Sequence, residues 1–130
     1  MGETKIDSDR KALLVVEDDV MLLSVYSQMK IKDNKELKIL IANDGKEAID
    51  YINKYEPDII LLDLVMPNVD GFDVLEHMNK TGQIKKSKVY VLTNLSDEQT
   101  RKRVMDLGAA DYMIKSNTSI KLIKKLIEEA

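Results

Sequence analysis

The sequence contains no cysteine, which excludes disulfide frameworks, Cys-based zinc sites and thiol catalysis. It has one histidine, His77, so a His-rich metal site is excluded, and so is any Ser–His catalysis that does not use that residue. Aromatic residues make up 5% and tryptophan is absent, so the core must be built from Leu, Ile, Val and Met. No apolar run approaches the roughly 18 residues of a membrane helix. The polar stretch Met1–Lys11 lacks the apolar segment of a signal peptide. The expected compartment is therefore the cytoplasm, with no membrane partner. An excess of one charge is also missing: 20 basic and 23 acidic residues leave a net charge of −3, with the signs interspersed. Nucleic-acid binding would show as clustered excess Lys and Arg, so none is expected in these residues.

What is present fits one globular domain of 130 residues, 44% hydrophobic and 33% charged. A chain of this size can bury roughly 65–70% of its unfolded surface and needs no metal to fold. Residues 1–10 read as a flexible lead-in and 11–130 as the folded domain, without repeats or low-complexity segments.

Apolar runs of strand length alternate with amphipathic stretches of helix length. The strand candidates are Ala12–Val16, Leu37–Ala42, Ile59–Leu62, Val89–Thr93 and Ala110–Ile114. They are near-continuously apolar rather than alternating, as strands covered on both faces are. The first helix candidate carries Leu22, Val25, Tyr26 and Met29 at helical spacing, the second Ala48, Ile49 and Ile52, and the third Val74, Leu75 and Met78. A fourth carries Val104 and Leu107, and the last Ile120, Ile123 and Ile127 flanked by Leu122 and Leu126. Ser96 followed by Gln99 reads as a capping box that opens the fourth helix. Asp44–Gly45, Asp70–Gly71 and Leu107–Gly108 punctuate the loops. Five β-α units with right-handed crossovers predict an α/β three-layer sandwich around a five-stranded parallel sheet. The order 2-1-3-4-5, a flavodoxin-like arrangement, would set the second strand at the outside and put the first and third side by side.

In such sheets ligands bind beyond the carboxyl ends of the strands, where the winding reverses. The first strand ends in Glu17-Asp18-Asp19, the third at Asp63, the fourth at Thr93 and the fifth at Lys115; Ala42-Asn43, ending the second, offers nothing. Neighbouring strands lie about 4.8 Å apart, so Glu17, Asp18 and Asp63 would crowd three carboxylates that a proton or a cation must compensate. Oxygen ligands with room for water suit Mg²⁺. A carboxylate nucleophile, a cation, an ammonium and a hydroxyl donor suit phosphoryl transfer onto Asp63, which needs no His or Cys. Mg²⁺ and Lys115 would neutralise the phosphoryl oxygens, and Thr93 would donate a hydrogen bond.

Taken singly, these residues have plainer readings. Glu17-Asp18-Asp19 fits a solvated helix start with Asp19 as its cap. Thr93 and Tyr112 fit ordinary strand positions, Lys115 a surface charge, His77 a surface residue, and Met21 and Met66 packing. The Lys-rich stretches at 85–88 and 121–125 fit solvated faces. Placement of the acids, hydroxyl and ammonium at one sheet edge favours the functional reading, although a fold is no proof of function.

The sequence resembles the receiver domains of two-component response regulators, chemotaxis-regulator-like, over about Lys11–Glu129. The matching pieces are Leu-Val-Val-Glu-Asp-Asp at 14–19, Leu-Leu-Asp-Leu-Val-Met-Pro-Asn-Val-Asp-Gly at 61–71, Val-Leu-Thr at 91–93 and Ala-Asp-Tyr-Met-Ile-Lys at 110–115. The resemblance implies Asp63 as phosphoacceptor, with Asp18 as direct metal ligand, Glu17 acting through water and the Val65 backbone carbonyl as a further ligand. It implies Thr93 and Lys115 as the phosphate-sensing pair and Tyr112 as the aromatic that turns inward with the threonine. The donor would be a histidine kinase or histidine phosphotransfer protein. The output surface would be the fourth helix, fifth strand and fifth helix, about Asp97–Leu107, Ala110–Ile114 and Ser119–Glu129, for a downstream protein or a self-dimer.

The sequence departs from the family in three places. Receivers usually carry proline after the lysine, often on a cis peptide; here it is Ser116. The usually small residue after the threonine is Asn94, placed to touch the phosphoryl group or narrow access to it. Val65 and Leu95, two positions beyond Asp63 and Thr93, are apolar and cannot orient an attacking water, which implies slow self-dephosphorylation. A phosphorylation-independent interaction module on the same fold is the alternative. A phosphatase of the haloacid-dehalogenase type would need a second acid where Val65 stands. A flavin protein would need a phosphate-cradling loop. The expectation is a switch that assists its own modification, not a turnover enzyme. No output domain follows the fifth helix within these residues, as expected for a stand-alone protein or an excised domain.

Overall fold

The computed structural model describes residues 11–19 and 37–129. The lead-in at 1–10 and the expected first helix, with Met21, Leu22, Val25, Tyr26 and Met29, lie outside the described residues. Five parallel strands, β1 (Lys11–Val16), β2 (Leu37–Ala42), β3 (Ile59–Leu62), β4 (Lys88–Thr93) and β5 (Asp111–Ile114), form one sheet in the order β2-β1-β3-β4-β5. The described helices are α1 (Gly45–Tyr55), α2 (Gly71–Thr81), α3 (Glu98–Asp106) and α4 (Ile120–Glu129), the second to fifth of the sequence reading.

Successive strand residues feed opposite layers, because side chains alternate across a strand. Leu14, Val16, Ile60, Leu62, Val89 and Val91 join Ala48 and Ile52 of α1, Val74, Leu75 and Met78 of α2, and Val104 of α3. Leu13, Val15, Ile59, Leu61, Tyr90 and Leu92 join Ile123 and Ile127 of α4 on the other side. Burial on both faces is the reason the central strands β1, β3 and β4 read as nearly unbroken apolar runs, whereas the edge strands β2 and β5 are partly exposed.

Helix starts follow side-chain chemistry. Asp44 accepts the Glu47 N–H at 2.8 Å to open α1. Asp70 and Asp73 exchange side-chain-to-backbone bonds of 2.9 and 3.0 Å, a full capping box at α2. At α3 the expected Ser96–Gln99 box is corrected by one residue: Asp97 is the cap. It accepts the Thr100 N–H at 3.0 Å and the Thr100 hydroxyl at 2.8 Å. A carboxylate offers two acceptor oxygens and a favourable charge at a helix N-terminus, so it prevails over the neighbouring serine. Gly71 is required by proximity: a Cβ there would lie 2.5 Å from the Asp63 carbonyl oxygen and 2.7 Å from Leu64 Cα. The start of α2 is thereby pressed against the backbone that leaves β3.

Candidate phosphoryl-transfer site

The acids are delivered by the sheet register. Val16 of β1 faces Leu62 of β3, so Glu17 and Asp63 leave adjacent strands at the same level. The Glu17 N–H donates to the Ala42 carbonyl at 3.0 Å and the Asp63 N–H to the Val16 carbonyl at 3.2 Å. Each acid's backbone is thus tied to the neighbouring strand. Glu17, Asp18 and Asp63 each offer a carboxylate oxygen, and these oxygens lie within 4.8 Å of one another. Glu17 and Asp63 are buried, whereas Asp18 is exposed.

Lys115 enters from the far side of the site. Its Nζ lies 2.7 Å from Glu17 Oε1 and 3.1 Å from Asp63 Oδ2. The remaining carboxylate oxygens take backbone donors: Asp63 Oδ1 accepts the Val65 N–H at 3.2 Å, and Glu17 Oε2 the Asp19 N–H at 3.0 Å. Burial pushes the Glu17 carboxyl above its ordinary range, against the pull of Lys115 and the Asp19 N–H, and the Asp63 charge adds to the rise. Burial acts to lower the Lys115 ammonium, but bonding to Glu17 and the charge of Asp63 outweigh it and hold the pKa above the usual value.

Thr93, fully buried at the end of β4, accepts the Leu95 N–H on its hydroxyl at 3.3 Å. Tyr112 packs against the layer that contains Val91, its partner in the β4–β5 register. Its hydroxyl is buried and has no hydrogen-bond partner among the described residues, and burial together with Asp97 and Glu98 raises its pKa. The Val65 side chain is exposed. His77 sits half-buried with Nε2 2.9 Å from Asn53 Oδ1, outside this group of contacts.

Two features escaped the sequence reading. Asn94 Oδ1 accepts the Ser116 N–H at 3.0 Å, so the two departures from the family pattern form one contact. The described peptide bonds are all trans, Lys115–Ser116 included. The sequence reading makes Gly71 loop punctuation only, whereas the structure leaves no room for a Cβ between it and the Asp63 carbonyl; an Asp-Gly pair opening the helix after the acid is the available signal.

Three carboxylates, one ammonium and a buried hydroxyl provide a nucleophilic oxygen in a site with excess negative charge. The donors are oxygen atoms and their spacing is short, which fits a small hard divalent cation.

A family model described as the response regulator receiver domain matches residues 13–127. A protein-glutamate methylesterase/protein-glutamine glutaminase of Methanospirillum hungatei is 35% identical over 117 residues, 88% of this chain. The chain spans 33% of that relative's own length. The phosphorylated cyanobacterial phytochrome response regulator RcpA superposes with a TM-score of 0.79 at 29% identity, covering 92% of each chain. The Mn²⁺-bound form of response regulator Rcp1 does so at 0.71 and 26%, covering 92% of this chain and 90% of the other. With the sheet order, the strand-end acids and the match over 13–127 in agreement, this chain belongs to the response regulator receiver domains of two-component signalling.

Proposed function

We propose that Asp63 is the phosphoacceptor of a signalling switch. The observation that carries this reading is the joint placement of the Asp63 carboxylate against the Lys115 ammonium and beside Glu17 and Asp18. A carboxylate oxygen of Asp63 forms the new P–O bond while the P–N bond of a phosphohistidine breaks, and the imidazole nitrogen keeps the electron pair. The donor is a histidine kinase or a histidine phosphotransfer protein. Lys115 neutralises a phosphoryl oxygen, and Thr93 turns its hydroxyl toward another. Asp18, Glu17, Asp63 and the Val65 carbonyl would hold Mg²⁺, which supplies charge neutralisation at the phosphoryl group when bound. The response regulator Rcp1, which shares the fold, has a Mn²⁺-bound form, and this supports a divalent ion for this chain.

Movement of Thr93 would alter the space beside Tyr112, whose hydroxyl has no hydrogen-bond partner among the described residues, and Tyr112 would be the local element that exchanges positions. The surface affected is α3, β5 and α4, which would then bind a downstream protein or a second copy. The chain assists its own modification and is not a turnover enzyme. No described helix is long and apolar enough to cross a membrane, and a cytoplasmic location suits a kinase-fed switch.

Intact-mass spectrometry after incubation with acetyl phosphate, with and without Mg²⁺, tests the reading on wild type and Asp63→Asn. One added phosphoryl group that requires both Mg²⁺ and Asp63 is the expected result. A folded, Mg²⁺-binding protein that takes none would identify a phosphorylation-independent interaction module instead.

A further inference from the structure

β4 and β5 pair as far as Thr93 and Ile114, the last rung of their ladder. Asn94 and Lys115 are the next residues on each strand. Lys115 opens a 3-10 turn, Lys115–Asn117, and the first peptide N–H beyond it belongs to Ser116. That N–H meets a side chain in place of a backbone acceptor: Asn94 Oδ1, at 3.0 Å. The far end of the turn is closed by the Thr118 hydroxyl on the Ile114 carbonyl at 2.8 Å. The backbone of Lys115 is therefore held on both sides.

We propose that Asn94 is a positioning residue that holds the Lys115 turn through the Ser116 N–H, and so places the Lys115 ammonium between Glu17 and Asp63. A lysine stem is flexible and has no preferred geometry of its own, so where its ammonium can dwell depends on where its Cα is held. The contact needs a peptide N–H after Lys115, which proline lacks, and an acceptor on the residue after Thr93, which alanine or glycine lacks. Ser116 and Asn94 supply one each, on an ordinary trans bond. Asn94 thus acts through Lys115 and not through direct contact with a transferred group. The inference rests on the reading of Asp63 as phosphoacceptor, but its first readout does not.

That first readout is ¹H–¹⁵N spectroscopy of the full chain without phosphoryl donor, on wild type, Asn94→Ala and Asn94→Asp. Asn94 is exposed, so both variants are expected to fold. In Asn94→Ala the Ser116 amide should exchange about tenfold faster, and the slowly exchanging Lys115 ammonium signal should broaden or vanish. Asn94→Asp, which keeps the acceptor oxygen, should retain both. The second readout is the rate of Asp63 phosphorylation by acetyl phosphate with Mg²⁺. Asn94→Ala should lower the maximal rate roughly three- to tenfold while leaving the half-saturating donor concentration near that of wild type. In a Lys115→Ala background it should add nothing. An ammonium signal that is unchanged in Asn94→Ala, or absent from wild type, overturns the proposal. So does a full additional loss in the double variant, which would mean that Asn94 contacts the phosphoryl group directly. A wild type that accepts no phosphoryl group would overturn the phosphoacceptor reading, and the ammonium signal would still decide the role of Asn94.

Discussion

Glu17 is held in surroundings that oppose its charge. Its carboxyl is raised above the ordinary 4.5 chiefly by burial, and the bond from Lys115 offsets this only in part. The sign of the stability effect follows. Below the ordinary value the side chain is protonated in both folded and unfolded chains, and no difference arises. As pH rises through the folded value, the fold must keep a charge that the unfolded chain accepts more readily, so stability falls to a plateau. Glu17→Gln should therefore melt above wild type at neutral pH without divalent ions, and level with it in strong acid. Added Mg²⁺ should narrow or reverse that gap, because an ion that binds only the folded wild type stabilises it. Thermal melts across pH, with and without Mg²⁺, check all three outcomes. Val65, whose side chain is 57% exposed, carries a second expectation at this scale. It cannot orient a water, so the phosphoryl group should outlast that of Val65→Asn several-fold. An equal or shorter wild-type lifetime, measured by loss of the added mass, would remove this role.

Among the elements, the helix caps separate what local pattern encodes from what it leaves open. Asp44 and Asp70 precede glycine and a clear apolar stripe, and their helices begin where that pattern places them. Ser96 and Asp97 are both good caps, and each has a partner residue three positions on, so sequence alone allows either register. The two Asp97 oxygens and the Thr100 N–H and hydroxyl settle it. Asp97→Ala should cost about 1 kcal/mol, whereas Ser96→Ala should be near neutral; urea titration of the two variants distinguishes the registers. Strands were legible to within a residue: burial on both faces removes polar residues from β1, β3 and most of β4, and the half-buried edge strands β2 and β5 stay largely apolar, with Lys38 and Asp111 exposed. Right-handed crossovers leave few topologies, and among them the order 2-1-3-4-5 is the one that the chemistry at the strand ends and the family resemblance favour; the sheet has that order.

At the scale of the whole molecule, the sheet separates two apolar layers. Ile52 of α1 lies in one and Ile123 of α4 in the other, both fully buried. Ile52→Val and Ile123→Val should each cost roughly 0.5–1.5 kcal/mol. Without shared partners the double variant should equal their sum to within about 0.5 kcal/mol. A coupling well beyond that, in denaturant titrations, would mean that the sheet transmits strain between layers. The sequence by itself determined the alternation of strands and helices, the doubly covered sheet and the presence of acids, a hydroxyl and a lysine at strand ends. These rest on local periodicity and on residues adjacent to it. The tertiary structure alone decided that the Lys115 ammonium bonds directly to both Glu17 and Asp63, the latter 52 positions away. It also decided that Ser116 bonds to Asn94 across 22 positions, and that Gly71 presses on the Asp63 backbone. Such contacts depend on where separate strand ends converge in space, and no local spacing of residue types records that convergence.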